Sequence, residues 1–224
     1  MKALKVISLS KTYESGNSIM KVLDNINLSI YPNEFVSIIG SSGSGKTTLL
    51  NLISGLEYPT LGKVFINGID LGDLNEEDRA KFRLKNIGFV FQNYNLIPVI
   101  NAFENITLPV KLMGRKIDIN EVMEIAKILE IDQKLYQMPN LLSGGQQQRV
   151  AIARTLYTKP TLVLADEPTG NLDSKSGNNV IMLMKKMSEE FGQTMIIVTH
   201  DHKVAKVADR VIQIEDGKII NDGK

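Results

Sequence analysis

Three short segments carry side chains whose types and spacing could do chemistry together. The first, Gly40-Ser41-Ser42-Gly43-Ser44-Gly45-Lys46-Thr47, follows the pattern G-x-x-x-x-G-K-[ST]. Glycines let the backbone curl so that successive N–H groups converge on phosphate oxygens. A helix starting behind the loop adds partial positive charge at the same point. Lys46 is placed to meet β- and γ-phosphates, and the Thr47 hydroxyl suits Mg²⁺. Thr48 leads into the helix. A glycine-rich turn without a ligand is the plainer alternative. The apolar run Phe35–Ile39 before the motif and the helical pattern after it favour phosphate binding, which implies a nucleotide-binding chain.

The second segment is Leu162-Val163-Leu164-Ala165-Asp166-Glu167. Acids at the carboxyl end of an apolar strand are costly unless they face a cation, water or a donor. In open α/β sheets that edge is where ligands bind. Asp166 is a candidate Mg²⁺ ligand, directly or through water, and Glu167 a candidate general base for an attacking water. Taken alone, the pair reads equally well as a solvated turn into Pro168. The third segment, Leu142-Ser143-Gly144-Gly145-Gln146-Gln147-Gln148-Arg149, runs into a helical pattern over Val150–Leu156. Ser143 suits either an N-cap or a phosphate ligand at that helix start.

These residues need a scaffold. Apolar runs at Phe35–Ile39, Ile87–Phe91, Thr161–Ala165, Met195–Val198 and Val211–Ile214 have the length of strands buried on both faces of a parallel sheet. Helical spacing recurs between them, over Thr48–Leu56, Glu121–Glu130 and Val180–Met187. Val22–Ile30 alternates like a half-exposed antiparallel strand. Lys63–Ile66 before Asn67-Gly68, and Gln213–Ile219 around Asp216-Gly217, read as hairpins. The prediction is an α/β fold with a mostly parallel core sheet, an antiparallel β flank and a helical insertion. Residues 93–159 form the predicted insertion, and 1–92 with 160–224 the core.

Composition narrows the class. The 224 residues include 26 Lys+Arg against 25 Asp+Glu, a net charge of +1 that argues against nucleic-acid binding by broad electrostatics. The absence of cysteine removes disulfides and thiolate metal sites and predicts a reducing compartment. No stretch approaches the roughly 18 apolar residues that span a bilayer, and the N-terminus lacks a secretory signal. The expectation is a soluble, intracellular globular chain.

The Leu142–Gln146 segment resembles the LSGGQ signature of ATP-binding cassette (ABC) ATPases. It stands upstream of Asp166 across a helix and a strand, as in that family. Gln92 in Phe91-Gln92-Asn93 resembles the Q-loop, and Asn171-Leu172-Asp173 the D-loop. His200 in Thr199-His200-Asp201 resembles the switch histidine, and Tyr13 the aromatic that stacks on adenine. Tyr13 also reads as an ordinary strand-end aromatic, and Asp173 as a cap of a helix starting near Ser174.

The resemblance covers essentially the whole chain and implies one ABC ATPase domain, a P-loop NTPase using ATP and Mg²⁺. Two copies would pack head to tail. The phosphate loop with Tyr13 and Thr48 would hold ATP from one copy; Ser143, Gly144, Gly145 and Gln146 would meet it from the other, with Asp173 in the nucleotide-binding set. Lys46, Glu167, His200 and Gln92 would be catalytic, and Thr47, Gln92 and Asp166 would serve Mg²⁺. The segments Leu164–Ser174 and Phe91–Pro98 resemble the branch of macrolide-export, lipoprotein-release, antimicrobial-peptide-resistance and cell-division ATPases. That implies a separate transmembrane permease subunit, a place on the cytoplasmic face of the cell membrane, and export or mechanical transmission. A regulatory cell-division role that moves no substrate is the alternative.

Overall fold

The computed structural model describes residues 1–16 and 18–223. The chain opens with two long strands, β1 (Leu4–Ser15) and β2 (Ser18–Ile30), then β3 (Phe35–Ile39) and helix α1 (Lys46–Ile53). Strands β4 (Leu61–Ile66) and β5 (Ile69–Asp70) lead through α2 (Glu76–Asn86) to β6 (Ile87–Phe91). Helices α3 (Ala102–Leu112), α4 (Ile119–Ile128) and α5 (Gly144–Tyr157) follow. The rest is β7 (Leu162–Asp166), α6 (Ser174–Phe191), β8 (Met195–Thr199), the one-turn α7 (His202–Ala205), β9 (Arg210–Glu215) and β10 (Lys218–Gly223).

The strands form two sheets. One runs in the order β2-β1-β4-β5 with antiparallel pairs; the other runs β10-β9-β3-β8-β7-β6. In the second, only the β9–β10 edge is antiparallel. Its central strands β3, β7 and β8 read as continuous apolar runs because both faces are covered. Val163, Ala165, Met195 and Ile197 face a core shared with α3 to α6, whereas Leu162, Leu164, Ile196 and Val198 face a core shared with α1 and the antiparallel sheet. Successive side chains point to opposite faces, so the one sheet feeds both cores. Segment 93–159 holds helices and single turns and no strand among the described residues. Its last helix, α5, adds Val150, Ile152 and Ala153 to the same core as β7 and β8.

The α/β class and the mixed sheets agree with the sequence reading, while several boundaries move. Helix α1 starts at Lys46 rather than Thr48 and stops at Ile53, with Gly55 at φ +69° and Leu56 half exposed. Strand β7 runs to Asp166, and α4 lies two residues earlier than expected, capped by Asp118. Strand β1 and helices α2 and α3 were not anticipated. A register shift between Val6 and Leu9, with Ser8 at φ +46°, breaks the alternation that would mark β1. Helix α2 buries only Arg79 and Phe82, so it shows no apolar stripe. Pro109 hides α3.

One buried side chain organises the approach to α3. The Asn105 amide donates to the carbonyls of Ile97, Ile100 and Asn101 at 3.0–3.1 Å and accepts from Ile97 N–H at 2.8 Å. Removing it takes away the side-chain partner of the Ile97 N–H and of the part-buried Ile97 and Ile100 carbonyls. Asn105→Ala is therefore expected to lower stability by about 1–3 kcal/mol, read as a lower urea midpoint at constant slope. A change below about 0.5 kcal/mol, the size of an ordinary surface substitution, would contradict this.

Candidate active site

In the parallel sheet β8 lies between β3 and β7, and the site grows from the carboxyl ends of these three strands. The loop Gly40–Gly45 leaves β3, Asp166 and Glu167 end β7, and His200 follows β8. An open cleft of about 1110 Å³ forms there, lined on the loop side by Ser42, Gly43, Gly45, Lys46, Thr47 and Thr48. Tyr13, Asn51, Glu57, Asp166, Glu167, His200 and the Asp216-Gly217 hairpin tip line the rest. A volume of that order accommodates a nucleoside triphosphate.

Glycine is required where the loop meets neighbouring backbone. A Cβ on Gly45, at φ +99°, would lie 2.7 Å from Leu23 Cδ2 and 2.8 Å from Val22 O. A Cβ on Gly40 would lie 2.2 Å from Ile214 O. Lys46 is nearly buried, and its Nζ donates to the carbonyls of Gly40 and Ser41 at 3.0 and 2.8 Å. The cation is thus folded over the loop. The Ser44 hydroxyl is buried without a hydrogen-bond partner, a donor the fold leaves uncommitted in a loop suited to anions.

Thr47 Oγ1 donates to Asp166 Oδ1 at 3.4 Å, so two hard oxygens face the loop together. Burial pushes the Asp166 carboxyl above its ordinary range; the Thr47 bond opposes this, the Glu167 charge adds to it and Lys46 offsets it. A cation would supply the compensation that burial demands. Among the described residues no group of three or more His, Asp or Glu could hold a metal by itself. The donor set suits a hard cation that completes its shell with phosphate and water oxygens.

Glu167 has φ +45°, a strained left-handed conformation for a residue preceding proline. Its carboxylate is 2.8 Å from His200 Nδ1 through Oε1 and accepts from the Thr199 hydroxyl at 3.3 Å through Oε2. At the other end of the cleft, the Tyr13 hydroxyl donates to Glu57 Oε2 at 2.5 Å, and Asn51 of α1 donates to Glu57 Oε1 at 2.9 Å. Burial works against the Glu57 carboxylate, but the bonds from Tyr13, Asn51 and Lys11 outweigh it and hold it below its ordinary range. Lys11 Nζ lies 4.9 Å from the Tyr13 ring centre.

The remaining predicted residues lie outside this cleft. Ser143 is the N-cap of α5; its Oγ accepts from Gln146 N–H at 3.3 Å, and Gln146 Oε1 accepts from Ser143 N–H at 2.9 Å. Gly144 packs toward Tyr94 and Leu172, and Gly145 toward Ser176. Asp173 caps α6 by accepting from Lys175 and Ser176 N–H, both at 3.0 Å. Gln92 donates to Asn171 Oδ1 at 3.1 Å, and Asn171 donates back to the Gln92 carbonyl at 3.1 Å. Sequence reasoning missed Glu57, Asn51 and the approach of the Asp216-Gly217 tip. No local pattern marks the first two. The tip was legible as a hairpin, but its packing against the loop was not.

Fold and cleft together define a P-loop nucleotide-binding ATPase. Residues 23–170 match the ABC transporter family. The chain is 46% identical over 227 residues to the uncharacterized ABC transporter ATP-binding protein MJ0796 of Methanocaldococcus jannaschii, covering 99% of this chain and 97% of that one. It is 43% identical to the lipoprotein-releasing system ATP-binding protein LolD of Shewanella frigidimarina, covering 96% and 90%. It is 44% identical to the macrolide export ATP-binding/permease protein MacB of Rhodopirellula baltica, where it covers 98% of this chain and 33% of that longer one. A solved dimeric post-hydrolysis state of MJ0796 bound to ADP and Pi superposes with a TM-score of 0.89 at 44% identity, covering 99% of this chain and 98% of that one. The chain belongs to the ABC transporter ATP-binding family; it binds ATP and is an ATPase.

With Lys46 read as a phosphate ligand, Lys46→Ala is expected to cost about 1.5–3 kcal/mol of ATP affinity, roughly ten- to a hundred-fold. Titration with a fluorescent ATP analogue measures it. Unchanged affinity would count against the role of the loop.

Proposed function

We propose that this chain is the ATP-hydrolysing subunit of an extrusion or mechanotransmission machine whose transmembrane permease is a separate chain. The observation that carries this reading is a division of labour within the fold. The phosphate loop, Asp166, Glu167 and His200 share one cleft, while the signature residues Ser143–Gln146 stand on a different surface. A second copy placed head to tail brings that surface to the cleft and gives the signature its ligand. The solved MJ0796 cassette is dimeric, which supports pairing of two copies.

In this reading Tyr13 receives the base, and Lys46 and the N–H groups of the loop hold the phosphates. Ser143, Gly144 and Gly145 of the second copy close over the γ-phosphate, with Gln146 and Asp173 at the same junction. Thr47 and Asp166 would hold Mg²⁺, which supplies charge neutralisation on the phosphates; Gln92 would join them only on leaving Asn171. Glu167 accepts the proton of the attacking water, and His200 steadies the carboxylate and the γ-phosphate. ATP favours the closed pair because only that state contacts it from both sides.

The reading extends to the membrane. Among the described residues no helix is long and apolar enough to cross a bilayer, so a permease would hold the chain at the cytoplasmic face. Residues 93–159 act as the helical subdomain that meets it. An apolar groove of about 400 Å³, lined by Phe89, Phe91, Ile97, Leu108 and Leu112, lies beside that segment and would receive a cytoplasmic helix of the partner. The names of LolD and MacB support lipoproteins or lipophilic molecules of the macrolide kind as cargo; a peptide cargo rests on the resemblance alone.

Glu167→Gln is expected to bind ATP normally, to lose about 10²–10⁴ in turnover, and to accumulate as an ATP-bound dimer in size-exclusion chromatography. Normal turnover, or a monomer at saturating ATP, would sink this reading.

A further inference from the structure

Gln148 lies one helical turn beyond Gly144 on α5 and is completely buried. Its Nε2 donates to the carbonyl of Pro168 at 2.7 Å, and its Oε1 is buried with no partner. Burying an amide with half its hydrogen bonds unmade is unfavourable, and an apolar side chain of similar volume would avoid that cost. Packing alone therefore does not account for glutamine here. The one bond it makes lands on the Pro168 carbonyl, in the turn that follows Glu167 and one peptide beyond the Glu167–Pro168 bond.

The turn at Glu167 needs holding. Glu167 sits at φ +45° before a proline, a conformation its own preferences oppose. Its N–H donates to the Val198 carbonyl at 2.9 Å, and its carbonyl accepts from Gly170 N–H at 3.0 Å. Pro168 has no N–H to contribute. The Gln148 bond supplies the next restraint along the chain, from a helix that belongs to a different part of the fold.

We infer that Gln148 is a positioning residue: its amide fixes the Glu167-Pro168 turn and thereby the carboxylate that accepts the water's proton. This rests on the reading of Glu167 as the base. Because Gln148 and the signature share the first turns of α5, it also ties the surface that meets a second copy to the base in its own cleft.

Gln148→Met keeps the volume and removes the donor. The test compares hydrolysis by the unsubstituted chain, Gln148→Met, Glu167→Gln and the double variant, with ATP affinity and melting temperature measured for each. Gln148→Met is expected to keep ATP affinity within about twofold and to lose roughly ten- to a hundred-fold in kcat, the scale on which misplacement of a reacting group acts. In the Glu167→Gln background the same change is expected to add nothing, because the group it positions is already gone. A merely structural role would lower both backgrounds alike, and that result overturns the inference. Gln148→Asn keeps the amide but shortens its reach, so it should lose kcat as well; full activity in Gln148→Asn overturns the inference even where Gln148→Met folds poorly. Normal turnover by Glu167→Gln alone defeats the base assignment and this inference together. A fully active Gln148→Met beside a crippled Glu167→Gln defeats this inference only.

Discussion

The phosphate loop is clamped between two pieces of backbone that leave no space for a side chain. On one side, Gly217 N–H at the β9–β10 hairpin tip donates to the Ser44 carbonyl at 3.2 Å, and Ile214 O presses on Gly40. On the other, Val22 and Leu23 of β2 press on Gly45. Asp24 N–H closes the clamp by donating to the Gly217 carbonyl at 2.9 Å. Both sheets therefore meet at the loop. The antiparallel flank holds the loop's shape from outside, so its N–H groups are organised before any ligand arrives.

From that fixed point the strand order sets the rest of the cleft. With β8 between β3 and β7, the loop, the acid pair and His200 emerge side by side from one edge. Helix α1 runs back from the loop, and its Asn51 reaches Glu57, which holds the hydroxyl of Tyr13. The aromatic at the far end of the cleft is thus tied to the helix that starts at the glycine-lysine loop. Burial of Asp166 beside Thr47 raises the cost of its charge and favours a cation at that position.

A second set of contacts joins the outer surface to this cleft. Gln92, Asn93 and Asn171 hydrogen-bond one another, and Arg154 donates to the carbonyls of Tyr94 and Asn95, two residues with positive φ. The segment leading toward the apolar groove is thereby held against the turn that carries Glu167. Gln148 reaches the same turn from α5. Groove, signature helix and acid pair are thus joined by these bonds and by the short chain segment from Glu167 to Asn171.

Much of this was legible in the chain alone. The glycine-lysine loop, the acids ending an apolar run and the Ser143 cap are local patterns with local physical causes, and each appeared where its spacing indicated. The central parallel strands were legible because burial on both faces leaves an unbroken apolar run. Strand β1 escaped because its bulge breaks the period, and α2 because it buries only two residues, one of them an arginine. Glu57, Asn51, the Gly217 tip and Gln148 escaped for a deeper reason. Each acts through a partner distant in sequence or on another element, and no local pattern records which carbonyl or hydroxyl a side chain will meet. Sequence determined which residues are candidates for the chemistry and most of the elements that bear them. Only the tertiary structure decided which residues share a cleft, that the signature stands apart from it, and how backbone packing from both sheets shapes the loop, because those outcomes depend on strand order and on contacts between chain segments far apart in sequence.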